Sequence, residues 1–276
     1  MSETLIPAGS TVGALQQRPL LDAVDNRILL SHALGLSRVG LITQSERVLT
    51  GDEAQRLSNL MERRLRGEPV AYIVGQREFF GLPFAVSDAV LIPRPDTEVL
   101  VELALDRLPP GGRVLDMGTG SGAIAVALAH TRPDAVVTAL DVSSAALAVA
   151  RRNASANGVN ITFMASDWFS ALGTEKFDLI VSNPPYIASG DRHLAEGDLR
   201  FEPSGALTDH ADGLSALRTI VAGAARHLAP KAWLLMEHGY DQAASVRQLL
   251  SNAGFNQSQS WRDLADIERV SGARHG

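Results

Sequence analysis

The segment Asn183-Pro184-Pro185-Tyr186 contains the residues of this chain that are best suited to chemistry. It follows an apolar run, Phe177 to Ser182, that predicts a buried strand. The prolines fix two backbone dihedrals and remove two N–H donors, so nearby carbonyls can face a substrate without competition. If the Asn183 side-chain oxygen and the Pro184 carbonyl each accept one hydrogen of a planar –NH2 group, its lone pair can point at an electrophilic methyl group. Tyr186 can stack on the same planar group.

This motif identifies the kind of nitrogen that it would hold, but not the molecule that carries it. The nitrogen is planar, weakly nucleophilic and bears two hydrogens, which describes both a glutamine amide and an exocyclic amine of adenine or cytosine. A strong general base is not required, because the proton becomes far more acidic once the nitrogen carries the methyl group. The competing interpretation is a plain strand-ending turn without chemistry.

A glycine-rich segment, Gly118-Thr119-Gly120-Ser121-Gly122, follows a second apolar run, Val114 to Met117. Glycines let a backbone approach a ligand closely, and the start of the following helix presents free N–H groups. The segment therefore predicts a ligand-binding loop. Dinucleotide-binding folds use a similar turn, and a tight strand-to-helix turn without a ligand would have the same sequence.

Acidic and aromatic residues follow the next two predicted strands. Asp141 lies about 20 residues beyond the glycine loop, where a carboxylate suits two ribose hydroxyls of either S-adenosylmethionine or NAD. It could instead cap the following helix. Asp167 could accept a hydrogen bond from an adenine amino group, and Trp168 could form an apolar wall beside it, unless the indole belongs to the core.

Alternating strands and helices would position these residues. The sequence predicts strands at 114–117, 135–140, 161–164, 179–181 and 232–236, and helices at 96–108, 122–130 and 143–157. Strands separated by helices of this length imply an α/β fold with a parallel, doubly wound sheet and right-handed crossovers. Residues 255–261 and 267–271 could add two antiparallel strands. In such a sheet, ligands bind at the carboxyl ends of the strands, where both motifs lie.

The residues before this sheet form two segments of different character. Apolar residues recur at three- and four-residue steps through 15–29 and 54–65, which predicts helices. The runs Val70 to Val74 and Leu82 to Val86 predict two short strands. We therefore divide the chain into an N-terminal helical domain of residues 1–70, a β-hairpin linker of residues 71–95 and a catalytic domain of residues 96–276.

The overall composition narrows the possible classes of function. The 276 residues include 25 lysines and arginines against 31 aspartates and glutamates, and this net charge of −6 argues against wrapping nucleic acid. Because there is no cysteine and the seven histidines lie far apart, we expect no metal site. The chain does not begin with a secretory signal pattern, and no apolar run reaches the about 20 residues of a membrane span, so we expect a cytoplasmic protein.

The two motifs together resemble those of the class I amino-methyltransferases, whose Rossmann-like sheet has seven strands, mostly parallel, with an antiparallel strand near the C-terminus. Outside the motifs, the resemblance narrows to the protein-(glutamine-N5) methyltransferases of peptide-chain release factors. Residues 67–73, 75, 77–79 and 92–98 resemble the linker of that family, and residues 201–203, 206–207 and 213–214 resemble its segment after Asn-Pro-Pro-Tyr. The helical segment Leu29-Leu30-Ser31-His32 also fits. Asp96 stands where the family often has glutamate, and the charge is kept.

The resemblance implies methyl transfer from S-adenosylmethionine to N5 of the glutamine in the Gly-Gly-Gln motif of bacterial class 1 release factors. The helical domain would help to engage the release factor, with no membrane and no direct nucleic-acid partner. In addition to Asp167, the residues implied to contact the cofactor are Gly118, Thr119, Gly120, Ser121, Gly122, Asp141, Trp168 and Asn183. The implied holders of the substrate amide are Asn183, Pro184, Pro185 and Tyr186. Phe79 and Phe80 could be pocket walls or core residues, and Arg94 could position the substrate or pair with Glu98.

Three alternative functions remain open at this point. Methylation of adenine N6 or cytosine N4 in DNA or RNA would use the same motif, but the chain lacks a basic, aromatic-rich recognition segment. An NAD-linked oxidoreductase would leave Asn-Pro-Pro-Tyr unexplained, and it lacks a Tyr-Lys pair because the lysines are Lys176 and Lys231 alone. The third alternative is a non-catalytic, cofactor-binding scaffold. The intact residues of both motifs argue against it, because a scaffold would not need them.

Overall fold

The computed structural model describes residues 5–276, which divide after Gly75 into two compact units. Residues 1–4, which belong to the predicted helical domain and to the stretch tested for a secretory signal, lie outside the described residues. The first unit is helical, whereas the second contains the strands.

The helical unit packs five helices around one apolar core. The helices are α1 (Val12–Gln17), α2 (Ala23–Leu34), α3 (Arg38–Thr43), α4 (Gly51–Leu65) and α5 (Val70–Val74). Helix α4 begins with a capping box, in which Thr50 accepts from the Glu53 amide and Glu53 accepts from the Thr50 amide. Its apolar stripe, which includes Leu57 and Met61, is fully buried against α2. The predicted helical character of this region is therefore confirmed.

The predicted strand over Val70–Val74 is wrong, because this run forms the single-turn helix α5. Val70, Ile73 and Val74 recur at the three- and four-residue spacing of a helix and pack on the core of the first unit. Gly75 ends the turn in the left-handed region with φ of 73°. The apolar run was too short for its spacing to be distinguished from that of a strand.

The second unit opens with a β-hairpin and a helix. The hairpin pairs β1 (Gln76–Phe79) with β2 (Leu82–Ala85) in antiparallel register, so a hairpin does follow Gly75. A 3₁₀ turn at Pro95–Thr97 then leads into α6 (Glu98–Arg107), as the acidic first turn predicts.

Seven strands form the central sheet of this unit. They are β3 (Arg113–Met117), β4 (Val136–Asp141), β5 (Thr162–Ala165), β6 (Phe177–Ser182), β7 (Leu228–Glu237), β8 (Asn256–Arg262) and β9 (Glu268–Arg274). Their spatial order is β5-β4-β3-β6-β7-β9-β8. The pairs from β5 through β7 are parallel, and β9 is antiparallel to both β7 and β8. The predicted doubly wound sheet with an antiparallel C-terminal addition is confirmed.

Helices cover both faces of this sheet. They are α6 together with α7 (Ala123–Thr131), α8 (Ser144–Ala156), α10 (Ser215–Ala224) and α11 (Ala243–Asn252), while the single turn α9 (Ser204–Leu207) lies in the connection between β6 and β7. Alternate strand residues point to opposite faces, so Val114 packs with α6 and α7 whereas Leu115 packs with α10 and α11. The parallel strands consequently end together at one edge of the sheet.

Asn153 on α8 connects the hairpin to the glycine-rich segment. Its side chain is 1% exposed, and its Nδ2 donates to the carbonyls of Ser121 at 2.8 Å and Ala85 at 3.0 Å. Its Oδ1 accepts from the Ala85 amide at 2.8 Å. One buried side-chain amide therefore forms hydrogen bonds with three backbone groups from two distant segments. Without Asn153, these backbone groups would lose these hydrogen bonds.

We predict that Asn153→Ala lowers the free energy of unfolding by about 3 kcal/mol, because it strands several buried backbone groups at once. Urea unfolding followed by circular dichroism measures the loss. Asn157→Ala is the matched control. Asn157 follows the same helix, and its Nδ2 donates to the carbonyls of Pro83 and Asn153, but the residue is only half-buried. Its replacement should therefore lower the free energy of unfolding by about 1 kcal/mol or less. Equal losses in both variants would contradict the connecting role of Asn153.

Candidate functional site

Three parallel strands end side by side and form one wall of a cavity. Met117 pairs with both Leu140 and Ser182, so β3 and β6 end at the same level and β4 ends one residue beyond it. The Ser182 hydroxyl donates to the Met117 carbonyl at 2.7 Å and closes this edge. Beyond it lies a cavity of about 290 Å³. This is the place where a doubly wound sheet binds its ligands.

Most of the residues singled out in the sequence meet in this cavity. Its lining includes Gly118, Thr119, Gly120, Ser121, Asp141, Asp167, Trp168, Asn183 and Pro185. Three of the predicted site residues are not among its lining residues, namely Gly122, Pro184 and Tyr186. Gly122 instead precedes α7 as its N-cap, and Pro184 is buried.

The glycine-rich segment presents its backbone to the cavity. Gly118 and Gly120 have φ values of 71° and 54°, which residues with side chains rarely adopt. A Cβ added at either position would meet nothing within 4 Å, so both face open space. The Thr119 amide donates to the Leu140 carbonyl at 2.9 Å and fixes the loop to the neighbouring strand. The loop is thus shaped for close approach by a ligand.

Asp141 organises both loops that flank it. One carboxylate oxygen accepts from the Gly120 amide at 2.9 Å, and the other accepts from the Ser143 amide at 2.8 Å. The N-cap of α8 is Ser143 itself, whose hydroxyl accepts from the Ala146 amide. Because each carboxylate oxygen has two lone pairs, both oxygens of Asp141 can still accept a hydrogen bond from a ligand.

A second carboxyl group, that of Asp116 on β3, lies fully buried beneath the loop. It accepts from the Thr119 hydroxyl at 2.6 Å. Burial raises its pKa to about 7, and the charge of Asp141 acts in the same direction, while the hydrogen bond from Thr119 opposes the shift. The loop therefore rests on a titratable group.

Trp168 forms part of the cavity wall at the end of β5. Its backbone has φ of 47°, in the left-handed region. The Ser166 hydroxyl holds this turn by donating to the Trp168 carbonyl at 2.7 Å and accepting from the Ala171 amide at 3.0 Å. Asp167 beside it is exposed at the cavity rim.

The Asn183 side chain is oriented by a residue that the sequence analysis did not single out. Its Nδ2 donates to the hydroxyl of Thr97 at 3.1 Å. Thr97 is buried in the 3₁₀ turn before α6 and also lines the cavity. This bond fixes the amide, and Asn183, whose oxygen remains able to accept, lines the cavity.

Tyr186 is held at both ends. Its hydroxyl donates to Oε1 of Glu237 at 3.3 Å, and its carbonyl accepts from Nε2 of Gln242 at 3.0 Å. Glu237 is the last residue of β7 and is 1% exposed. Burial raises the pKa of the Glu237 carboxyl to about 7 and also raises the pKa of the Tyr186 hydroxyl.

An ion pair between Arg94 and Glu202 joins two segments of the cavity wall. The Glu202 side chain is fully buried and also accepts from the Ile92 amide at 3.0 Å. The suggested pairing of Arg94 with Glu98 is wrong, because Glu98 accepts from the Phe80 amide instead. Phe79 proves to be both a core residue and a lining residue.

Thr97, Glu202 and Glu237 are the functional candidates that the sequence analysis missed. Thr97 and Glu202 lie within segments quoted for the family resemblance, so their neighbourhood was signalled. Glu237 ends an apolar run, Trp233 to Met236, and an acid at the end of a buried strand is the signal that could have revealed it.

The arrangement can hold a ligand with hydroxyl, cationic and flat apolar parts. Asp141 supplies acceptors, the open glycine backbone permits close approach, and Leu140, Val142 and Trp168 supply apolar surface. Within residues 5–276, no group of three or more His, Cys, Asp or Glu side chains is placed to hold a metal ion. No helix in the same range is long and apolar enough to cross a membrane.

The buried Asp116 carboxyl gives a prediction about stability and pH. The folded chain keeps its proton to about pH 7, whereas the unfolded chain releases it near the ordinary value of 3.8. Its contribution to the free energy of unfolding is therefore fully present below pH 3.8 and is lost as the pH rises to 7. Asp116→Asn removes this titration. As the pH rises from about 4 to 7, the free energy of unfolding of the variant should therefore increase by about 1 kcal/mol or more relative to that of wild type.

Chemical unfolding at a series of pH values measures this difference. Asp212→Asn is the control, because Arg218 lowers the Asp212 pKa to about 2 and the group stays ionised throughout this range. If the difference in stability between wild type and the Asp116→Asn variant is flat across this range, Asp116 does not titrate there.

Two family models match the chain in separate segments. The Methyltransferase small domain matches residues 95–199, which contain the glycine-rich segment and Asn-Pro-Pro-Tyr. The PrmC N-terminal domain matches residues 12–75, which form most of the helical unit.

Solved structures of similar fold include a methyltransferase from Pyrococcus furiosus. It has a TM-score of 0.55 and 19% identity, over 79% of this chain and 99% of that chain. A Thermus thermophilus 16S rRNA N2 G1207 methyltransferase, in complex with AdoMet and guanosine, has a TM-score of 0.54 and 23% identity, over 73% of this chain and 50% of that chain. At these identities the likeness shows the fold alone.

Curated relatives match over nearly the whole chain. The release factor glutamine methyltransferase of Burkholderia pseudomallei is 55% identical over 280 residues, which cover 98% of both chains. That of Neisseria gonorrhoeae is 50% identical over 252 residues, and that of Escherichia coli is 46% identical over 253 residues, with at least 91% of each chain covered. With this identity and coverage, the chain belongs to the release factor glutamine methyltransferase family.

Proposed function

We propose that this protein transfers a methyl group from S-adenosylmethionine to N5 of the glutamine in the Gly-Gly-Gln motif of bacterial class 1 release factors. The observation that carries the proposal is the Asn183 amide, which is fixed by Thr97 at the end of β6 with its oxygen free at the cavity. An acceptor so placed suits a planar nitrogen that bears hydrogens. The membership of the family supports the choice of glutamine.

The residues of the glycine-rich loop and the next two strand ends would hold the cofactor. Asp141 would accept from the ribose hydroxyls, while Asp167 and Trp168 would contact the adenine. The open backbone at Gly118 and Gly120 would lie against the amino-acid part. When bound there, S-adenosylmethionine supplies an electrophilic methyl group on a positively charged sulfur.

The Asn-Pro-Pro-Tyr segment would orient the glutamine amide. Asn183 Oδ1 would accept one amide hydrogen and the Pro184 carbonyl the other, which leaves the nitrogen lone pair directed toward the methyl group. Removal of rotational freedom and polarisation of the N–H bonds both lower the barrier. Pro185 keeps the segment rigid, and Tyr186 lies beside it with its hydroxyl tied to Glu237. Formation of the N–C bond would break the bond between the methyl group and sulfur and release S-adenosylhomocysteine. The methylated nitrogen would then pass its acidic proton to water, so no strong base is needed.

The helical unit would contact the release factor. Its helix α3 exposes two large apolar side chains on one side, Val39 at 67% and Ile42 at 64%. These two side chains are candidates for contact with the protein substrate. The substrate would then be a protein held by one unit and modified by the other, in the cytoplasm where translation factors act.

Purified protein with radiolabelled S-adenosylmethionine tests the substrate directly. We expect label in release factor, and its loss when the Gly-Gly-Gln glutamine is replaced by alanine. Label that enters tRNA, rRNA or DNA but not release factor would instead support the exocyclic amine alternative.

We predict that Asn183→Ala lowers turnover about 100-fold or more, because a positioned polar group in the site is removed. The affinity for S-adenosylmethionine should change little, as measured by calorimetry. Asn160→Ala, an exposed asparagine before β5, is the control and should turn over at the wild-type rate. A near wild-type rate for Asn183→Ala would contradict the orienting role of this amide.

Asp141→Ala should weaken cofactor binding about tenfold or more, because it removes charge-assisted hydrogen bonds to the ligand and to the glycine loop. Asp178→Ala is the matched control. Its carboxylate accepts from the Arg113 amide at 2.8 Å at the opposite edge of the same sheet, away from the cavity. An unchanged dissociation constant for Asp141→Ala, measured by titration calorimetry, would rule out its contact with the ribose.

A further inference from the structure

Glu237 is a buried carboxyl group that the methyl-transfer chemistry does not itself use. It ends β7 next to the point where β6 ends, because Met236 pairs with Ser182 in parallel register. Asn183 follows directly after that pair. Glu237 therefore lies at the level of Asn183 in the adjacent strand, and it is closed off from solvent.

One side of the Glu237 carboxyl group faces Tyr186, whose hydroxyl donates to Oε1. Tyr186 as a whole is half-buried, and its hydroxyl lies against the buried Glu237. At the other end of the residue, Gln242 binds the Tyr186 carbonyl. Gly213 lies so close that an added Cβ would be 2.5 Å from that carbonyl oxygen. The end of the Asn-Pro-Pro-Tyr segment therefore has little room to move.

Thr97 also lies near the carboxyl group: burial raises the Glu237 pKa, and the Thr97 hydroxyl acts as a nearby donor that lowers it. The Thr97 oxygen already accepts from Asn183, so the proton of its hydroxyl remains to be donated. Oε2 of Glu237 is buried and has no hydrogen-bond partner among the described residues. A carboxylate that needs a donor and a hydroxyl that needs an acceptor lie together here.

We propose that Glu237 is a positioning residue that holds both ends of the Asn-Pro-Pro-Tyr segment, Asn183 through Thr97 and Tyr186 directly. This proposal deepens the proposed function, on which it rests. Glu237 touches neither substrate nor cofactor. It acts by accepting two hydrogen bonds, so that Thr97 is left with its oxygen toward Asn183 and Asn183 with its oxygen toward the cavity.

The choice of glutamate at this position follows from the number of acceptors required. A carboxylate offers an acceptor to each of two hydroxyl groups, whereas a glutamine amide offers one oxygen and one donating nitrogen. Arg269 on β9 lies near enough to favour the ionised form, and Asp96 opposes it. Arg269 is itself shared with Asp263 at 3.1 Å and Asp96 at 3.8 Å, so its charge compensates the buried group without being bound to it.

Nuclear magnetic resonance on the protein without ligand can measure how fast the Asn183 side-chain amide hydrogens exchange with solvent. This rate tests whether Glu237 positions Asn183. We expect Glu237→Gln to accelerate this exchange about tenfold, the effect of weakening one hydrogen bond. Glu237→Met, which fills the same volume without polar atoms, should do the same and keeps the test decisive if Glu237→Gln does not fold. Glu268→Gln on β9 is the control and should exchange like wild type.

The route through Thr97 is tested by combining variants. Thr97→Val should accelerate Asn183 exchange as much as Glu237→Gln does, and the double variant should be no faster than either. Tyr186→Phe should leave Asn183 exchange unchanged. Additive effects of Glu237→Gln and Thr97→Val would overturn the relay, and exchange within about twofold of wild type in both Glu237 variants would overturn the proposal itself.

Turnover with release factor provides the second readout. Glu237→Gln should lower kcat about tenfold while the KM for release factor and the affinity for S-adenosylmethionine stay within about twofold, because one oriented hydrogen bond is lost in the transition state. A merely structural role would change the cofactor affinity as well. If wild type labels no release factor, the proposed function fails, while the exchange rates still decide whether Glu237 positions Asn183.

Discussion

The shared end of β3, β4 and β6 is the constraint on which the site depends. Because Met117 is in register with both Leu140 and Ser182, the chain leaves the three strands within one residue of the same level. The segments that follow have no further strand to pair with, so their backbone groups and side chains converge on one cavity. The sheet thus sets the distance between the glycine-rich loop and the Asn-Pro-Pro-Tyr segment before any ligand arrives.

Two buried carboxyl groups support this edge from within. Asp116 binds the hydroxyl of the glycine loop, and Glu237 binds the hydroxyl of Tyr186. Desolvation of a carboxyl group is unfavourable, and both pKa values are raised as a result. Such groups do little for stability. Their common position under the two motifs indicates that they are kept because they orient residues at the surface of the cavity.

Much of the fold could be predicted from the sequence, because the apolar runs of a doubly wound sheet are long and regularly separated. All seven strands of the sheet coincide with predicted runs. The prediction failed at Val70–Val74, where five apolar residues are compatible with a strand or one helical turn. It omitted α10, although Leu217, Ile220, Val221 and Ala224 have helical spacing.

The residues of the candidate site also fall into those that could be predicted from the sequence and those that could not. Residues at strand ends, such as Asp141 and Asn183, are recognisable because their position relative to an apolar run is local information. Thr97 and Glu237 are not, because their partners lie far along the chain: Thr97 is 86 residues from Asn183, and Glu237 is 51 residues from Tyr186. Contacts of this kind depend on how separate elements pack, which no local pattern encodes.

The three hydrogen bonds of Asn153 have a consequence for how the second unit responds to its ligands. They make the β1–β2 hairpin and the glycine-rich loop share one rigid connection. A bound protein that displaces the hairpin would therefore also displace the loop. Where such a coupling exists, thermodynamic reciprocity makes it act equally in both directions. Displacement of either segment must move the other or break the hydrogen bonds of a single interior amide.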